Sequence, residues 1–269
     1  MAVVFIPTRN RGELLRKVLT KWQLQRSVTE VIAVCEKWES GRTRAITNEF
    51  KRTSVLRLPK SNKGINYARN YIVSEADRIG LDRLIMADDD IYPNASSDVE
   101  RLFEWEGLNC LGMGIMVPFY GLQFGNKTMQ SENRPLMSKG ALGKRLFSLN
   151  VLKVIEAGNF DPDFASGWGD DELVRDGMYK LQATWYVHAG VKGTSIAGRY
   201  TPGGLNDFHA ESYESRLWGQ FNSHQLIYEK WGEKYVNVPT HGGRLVFQWK
   251  KFMNDYVPDW QDRIDWEKE

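Results

Sequence analysis

Cysteine is nearly missing: only Cys35 and Cys110 occur among 269 residues. Both lie inside apolar runs (Val-Ile-Ala-Val-Cys and Asn-Cys-Leu-Gly-Met), so they read as small buried hydrophobes. That excludes a disulfide framework and a cysteine metal site, and it fits a reducing compartment. Long apolar runs are missing too, and nothing approaches the ~20 residues that a membrane span requires. No secretory signal opens the chain, because the run Val3 to Ile6 is strand-length and stops at Pro7. A cytoplasmic location is therefore expected, and the Asn-x-Ser/Thr triplets at Asn94 and Asn126 carry little meaning. An excess of one charge sign is also lacking: 36 Lys and Arg face 34 Asp and Glu, for a net charge of +2. That balance excludes holding nucleic acid by bulk charge alone, while leaving room for a local basic groove. Internal repeats, low-complexity tracts and linkers are absent, so one domain is expected over residues 1–269.

What the chain does have is aromatic residues, 12 % of the total with 10 tryptophans. This exceeds ordinary core filling, and many of them fall in the last third. Such an excess suits a platform for sugar faces or nucleobases without choosing between them. The first half alternates strand and helix patterns. Val3–Ile6, Val31–Cys35, Val55–Leu58 and Leu84–Ala87 are short apolar runs of the buried-strand type. Leu14, Leu15, Val18, Leu19 and Trp22 give residues 12–25 a helical period. Ile65, Ala68, Ile72, Ala76 and Ile79 do the same for a helix that Gly80 should stop. Strand–helix alternation predicts a mostly parallel, Rossmann-like sheet flanked by helices, with ligands at the carboxyl ends of the strands. The second half is less regular. Strands are expected at 111–119, 141–149 and 183–188, and helices at 150–157 (capped by Asn150), near Asp170 and at 212–231. The Gly-, Thr-, Ser- and Pro-rich stretch 193–205 suggests a mobile loop of functional length.

The predicted carboxyl ends carry the reactive side chains. Pro7-Thr8-Arg9-Asn10-Arg11 closes the first strand, Glu36 the second and Asp88-Asp89-Asp90 the fourth. Three consecutive carboxylates repel one another unless a cation neutralises them, and a hard divalent ion, Mg²⁺ or Mn²⁺, is the natural partner. Such an ion would bridge carboxylates and a diphosphate. The bland alternative is a solvated acidic turn, which need not lie at the ligand edge of a sheet. A second acidic cluster, Asp170-Asp171-Glu172, follows the tight turn Gly167-Trp168-Gly169. It reads either as a helix N-terminus favoured by the macrodipole or as a held general base. Arg9, Arg11, Lys60, Lys63 and Arg69 lie around the same edge, where each is a phosphate ligand or a solvated surface charge. Among the four histidines, His188, His209, His224 and His241, one could join two carboxylates at a metal.

Taken together these segments resemble the GT-A glycosyltransferases, particularly a large inverting family with a split pattern. A first strand ends in Pro-Thr-x-x-Arg, an Asn-x-Gly-x-x-x-Ala-Arg-Asn helix start follows, then an Asp-x-Asp triplet and a later Trp-Gly-x-Asp run. Here these stand as Pro7 to Arg11, Asn62 to Asn70, Asp88 to Asp90 and Trp168 to Asp171, across about residues 3–190. The resemblance implies a donor half (residues 1–100) that binds a nucleotide-sugar, a UDP-sugar being expected. An acceptor half (residues 101–269) would be less regular. Pro7, Thr8, Arg9, Arg11, Glu36, Lys63, Arg69, Asp88 and Asp89 would line the nucleotide site. Asp88 and Asp90 would hold Mn²⁺ or Mg²⁺, with His209, or in reserve His188, as a further ligand. Asp171 would be the base of a single inverting displacement. Relatives usually show Glu-Asp where this chain has Asp170-Asp171, which leaves Asp170 as the alternative base.

A narrower resemblance links the Ala-Arg-Asn helix and Leu-Ile-Met-Ala-Asp-Asp-Asp-Ile-Tyr-Pro to glycosyltransferases of modified DNA bases, found in phages and kinetoplastids. It implies a hydroxymethylated pyrimidine in DNA as acceptor, without membrane association. Arg244, Lys250 and Lys251, set among Phe247, Trp249 and Phe252, would serve as a platform for the extruded base. The rival acceptor is a cell-surface glycan or lipid precursor. A non-catalytic sugar-nucleotide-binding module is a third reading, although both acidic clusters are intact. A nucleotidyltransferase is a fourth, disfavoured because Pro7 to Gly12 holds a single glycine where a Gly-rich phosphate loop would stand.

Overall fold

The computed structural model describes residues 2–115 except Asn10 and Asn62, then 135–138, 145–162 and 180–196 except Ala189, with Leu173 and Gly177 as isolated positions. The chain divides into two compact units, Met1–Ser223 and His224–Glu269, and every described residue belongs to the first.

Strands β1 (Ala2–Pro7), β2 (Val28–Cys35), β3 (Thr53–Arg57) and β4 (Arg83–Ala87) alternate with helices α1 (Gly12–Trp22), α2 (Ser40–Thr47) and α3 (Gly64–Arg78). They pair in parallel, in the spatial order β3-β2-β1-β4. Both faces of β1 are buried, which is why its sequence is a continuous apolar run and not an alternating one. Val4 and Ile6 pack with Leu15, Val18, Leu19 and Trp22 of α1. Phe5 turns the other way, toward Ile72, Val73 and Ala76 of α3. Helix α3 stops as the sequence predicts: Gly80 takes φ +74°, and Leu81 N–H reaches back to the Ala76 carbonyl at 2.9 Å.

Beyond β4 the chain no longer adds strands in order. After β5 (Ile91–Pro93) and α4 (Ser96–Arg101) come β6 (Cys110–Ile115), β7 (Pro135–Ser138), β8 (Leu146–Asn150), α5 (Val151–Ala157), β9 (Thr184–His188) and β10 (Gly193–Ser195). Strand β8 inserts between β4 and β6, antiparallel to both, and β9 and β7 complete an eight-stranded sheet. Asn150 caps α5 by accepting a hydrogen bond from Lys153 N at 3.1 Å, as expected for an N-cap asparagine. Residues 193–195, expected within a loop, instead form a short antiparallel pair with β5. The sheet is the mostly parallel, helix-flanked α/β sheet expected, with its antiparallel exceptions at β8 and β7. Both cysteines are buried and free. Among the described residues no helix is long and apolar enough to cross a membrane.

The topology also fixes where a ligand belongs. From β1 the chain moves outward to β2 and β3, then returns to β4 on the opposite side of β1. Open α/β sheets bind ligands in the crevice at the carboxyl ends where the order reverses. Here that crevice lies between the ends of β1 and β4, at Thr8 and at Asp88.

Candidate active site

The acidic triplet is the hub of that crevice, and its three carboxylates are held from different directions. Asp89 turns toward the end of β1. It accepts from Thr8 Oγ1 at 2.9 Å and from Arg11 Nη1 at 2.6 Å, with Arg11 and Asp89 both over nine-tenths buried. Burial pushes the Asp89 carboxyl up to about 7, although Arg11 and Thr8 pull it down. Thr8 is itself anchored, its N–H donating to the Val34 carbonyl of β2 at 2.9 Å.

Asp88 and Asp90 turn instead toward the second half of the sheet. The ladder between β4 and β8 runs one residue past its last pair, Ala87 with Leu146, through Asp88 N–H to the Arg145 carbonyl at 2.7 Å. Arg145 is thereby fixed beside the triplet. Its Nε reaches Asp88 Oδ2 at 3.1 Å and its Nη2 pairs with Asp90 Oδ1. Asp90 also accepts from Ser195 Oγ at 3.2 Å, and its carbonyl takes the N–H of Ile196 at 2.7 Å. Asp90 is buried, whereas the Asp88 side chain keeps 40 % of its surface open at the floor of the crevice. Enclosure by protein raises the Asp88 carboxyl, Asp90 adds to the rise, and Arg145 and Arg69 oppose it. Two carboxylates that already share one guanidinium can share another cation, and their all-oxygen donor set suits a hard divalent ion.

The remaining expected residues fall into three groups. Pro7 and Arg9 flank Thr8, both part-buried. Glu36 ends β2 as a buried carboxylate that accepts from Trp38 Nε1 at 2.6 Å, while the Trp38 ring is 59 % exposed. Arg69 is buried too, its guanidinium 5.4 Å from the Phe160 ring centre and 5.7 Å from that of Phe147. Arg11 and Arg69 are thus interior cations, while Lys60 and Lys63 are exposed. His188 is fully buried elsewhere. Its Nδ1 accepts from Gly190 N at 3.2 Å, which leaves Nε2 to donate to Glu104 at 2.9 Å. Among the described residues no three His, Cys, Asp or Glu side chains gather closely enough to hold a metal, so His188 does not join the triplet. Asp170, Asp171, His209 and the C-terminal Arg244, Lys250 and Lys251 lie outside the described residues.

Two features of the site had no assigned role in the sequence reading. Arg145 stands 55 positions from Asp90, and no local pattern signals it. Asn66 and Asn70 belong to the helix-start motif, and the structure gives them work. Asn70 holds the backbone of Phe160 at both ends, accepting from its N–H at 2.9 Å and donating to its carbonyl at 2.6 Å. Asn66 donates to the Asp161 carbonyl at 3.0 Å. Helix α3 therefore clamps the segment that leads into the second acidic cluster.

Residues 2–102 match the TET-associated glycosyltransferase family. No functionally curated protein matches the sequence. Among solved structures, the chain is similar to GalNAc-T7 with UDP, GalNAc and Mn²⁺, at 13 % identity and a TM-score of 0.58, over 97 % of this chain and 57 % of that one. It is also similar to S. aureus TarS 1–349 in complex with UDP-GlcNAc, at 12 % identity and a TM-score of 0.55, over 95 % and 73 %. The chain thus spans little more than half of the GalNAc-T7 structure, and at these identities the likeness speaks for fold. What these comparisons show is the fold, that of the GT-A glycosyltransferases, together with a match of residues 2–102 to the TET-associated glycosyltransferase family.

Proposed function

We propose that this protein moves a sugar from a nucleotide-sugar, a UDP-sugar, to the hydroxyl of a hydroxymethylated pyrimidine in DNA, with inversion at the sugar. The observation that carries the reading is the meeting of Thr8, Arg11 and all three triplet carboxylates at the strand-order reversal, inside the segment that matches the TET-associated family. The GalNAc-T7 structure holds UDP and Mn²⁺ and a TarS structure holds UDP-GlcNAc, which supports a nucleotide-sugar donor for this fold.

In this mechanism Thr8, Arg9 and Glu36 line the nucleotide pocket, with Pro7 shaping the strand end. Asp88 and Asp90 would hold Mn²⁺ or Mg²⁺, an ion that would neutralise the charge developing on the leaving diphosphate. Asp89, fixed by Arg11 and Thr8, keeps the triplet backbone in place and turns toward the nucleotide side. Arg69 and Lys63 add positive charge where the diphosphate leaves. Asp171 takes the proton of the attacking hydroxyl, and the Asn66 and Asn70 clamp sets the segment from which its turn departs.

The test is a donor screen with divalent metal against DNA that contains hydroxymethylated pyrimidines, against unmodified DNA, and against glycan and lipid acceptors. Transfer to modified DNA alone is expected. Asp171→Asn should lower kcat by roughly 10²–10⁴, the range for a positioned acid–base group, with donor affinity little changed. Transfer to a glycan or lipid precursor, and none to modified DNA, would overturn the acceptor.

A further inference from the structure

A groove of about 390 Å³ lies against the β5–β10 strand pair that holds Asp90, lined by Lys17, Thr20 and Lys21 of α1 and by Tyr92, Thr194 and Ile196. Its two walls are tied together. Trp22 Nε1 donates to the Ile91 carbonyl and Gln25 Nε2 to the Pro93 carbonyl, each at 3.2 Å, so the end of α1 is bolted to β5. Tyr92 and Thr194 face each other across the β5–β10 pair. Between Thr194 and Ile196, Ser195 donates to the Asp90 carboxylate, and the Ile196 N–H donates to the Asp90 carbonyl. The strand pair that walls the groove is thus the one that holds Asp90.

Its charge has one sign. Lys17 and Lys21 stand one helical turn apart and both are exposed. Like charges at that spacing repel unless an anion lies between them. Among the described residues neither lysine makes an ion pair and no carboxylate lines the groove. Glu13 and Glu49, acids beside the same helix, are both taken by Arg16. Lys21 rests over the Tyr92 ring at 5.8 Å, which keeps its ammonium along the groove. The hydroxyl protons of Thr20 and Thr194 go to the Arg16 carbonyl and to Asn94, so the two ammonium groups are its cationic ligands. Two point charges separated by a rise of about 6 Å suit a repeating anion read without base specificity.

We infer that this groove binds the phosphodiester backbone of the acceptor DNA, with Lys17 and Lys21 on neighbouring phosphates of the strand that enters the crevice. This rests on the reading that DNA is the acceptor. It gives that reading a basic surface among the described residues, where the full chain's net charge of +2 otherwise supplies little attraction.

The experiment measures binding of a fluorescent duplex containing hydroxymethylated pyrimidine as a function of salt. Lys17→Ala with Lys21→Ala removes two charges from the groove. Lys51→Glu, at an exposed turn before β3, changes the net charge by the same amount. The double alanine variant should make the slope of log affinity against log salt shallower by about 1.8, two phosphates' worth on a duplex. Lys51→Glu should leave the slope as in wild type, and Lys17→Arg with Lys21→Arg should preserve it. Alanine is the best helix former, so α1 remains intact, and an unchanged melting temperature checks this. An unchanged slope in the double variant, while wild type binds, overturns the groove and leaves DNA as acceptor. Equal losses in the double variant and in Lys51→Glu overturn it in favour of bulk charge. No binding of DNA by wild type overturns the underlying acceptor reading.

Discussion

Residues 2–101 and residues 110–196 build one sheet by different rules. In the first stretch β1 lies between β2 and β4 with β3 beyond β2, helical crossovers join them, and all four run parallel. In the second, β8 enters the sheet before β6 in space although it follows β6 in sequence, and it runs against both neighbours. The acidic triplet stands where the two regimes meet. Asp89 is held by residues of the first stretch, Thr8 and Arg11. Asp88 and Asp90 are held from the second, by Arg145 and Ser195. The difference teaches that a three-residue motif can be divided between structural and chemical duty. The buried central carboxylate, which also faces the proposed nucleotide pocket, fastens the motif to the donor half, and its neighbours remain positioned to exchange one cation for another.

The largest expected effect tests that division directly. Asp90→Ala, and equally Asp88→Ala, should reduce transfer to background while the protein keeps its fold. Excess chelator should do the same to wild type, with recovery on adding Mn²⁺ or Mg²⁺. Full activity in excess chelator would break the assignment of a metal to this pair.

The same difference governed what the sequence could disclose. Strands β1, β2 and β4 are buried on both faces and announce themselves as unbroken apolar runs. Helix α3 shows its period and its stop at Gly80, and Asn150 marks its own cap. Helix α2 gives no such signal: of Ser40 to Thr47 only Ala45 and Ile46 are apolar, too few to define a face. The β5–β10 pair joins three-residue strands a hundred positions apart, and the glycine there reads as loop. A Cβ at Gly193 would lie 2.3 Å from the end of the Ile115 side chain, which would have to shift. At the site, the motif residues were legible because their strand ends converge by topology. Arg145 was not, since its place depends on a non-sequential antiparallel insertion that no local pattern encodes.

A smaller effect concerns the fastening role of Asp89 and is read in metal-free protein. The Asp89 carboxyl keeps its proton in the folded state up to about pH 7, whereas an unperturbed aspartate releases it near 3.8. Between these values the folded state binds more protons than the unfolded one, so stability falls as pH rises. The contribution is fully present below about pH 4 and is lost as pH passes through 7, with roughly 4 kcal/mol as its upper bound. Asp89→Asn keeps the shape and removes the titration. Denaturant unfolding in chelator from pH 4 to 8 should show the decline in wild type and a flatter profile in the variant. Equal slopes would show that Asp89 is ionised throughout and that Arg11 outweighs burial.

The smallest effect has the more distinctive sign. Arg145 cannot leave the triplet by moving its backbone, because its carbonyl is bonded to Asp88 N and its strand is paired along β4. Only its side chain can swing. A divalent ion that takes both carboxylates must displace the guanidinium, whose charge-assisted hydrogen bonds are worth about 1.5–3 kcal/mol each before solvent repays most of the loss. In the absence of donor, Arg145→Gln should therefore tighten binding of Mn²⁺, by about tenfold if 1.4 kcal/mol of competition is removed. With a diphosphate bound, the displaced guanidinium would lie within reach of its oxygens and could pair with them. The same variant should then bind the nucleotide-sugar more weakly and raise its KM. Calorimetric titration of Mn²⁺ at pH 8, where protons compete least for the two carboxylates, reads the first effect. Donor titration at saturating metal reads the second. Opposite signs mark a cation that yields its place to the metal, whereas weaker binding of both would make Arg145 a plain structural brace of the triplet.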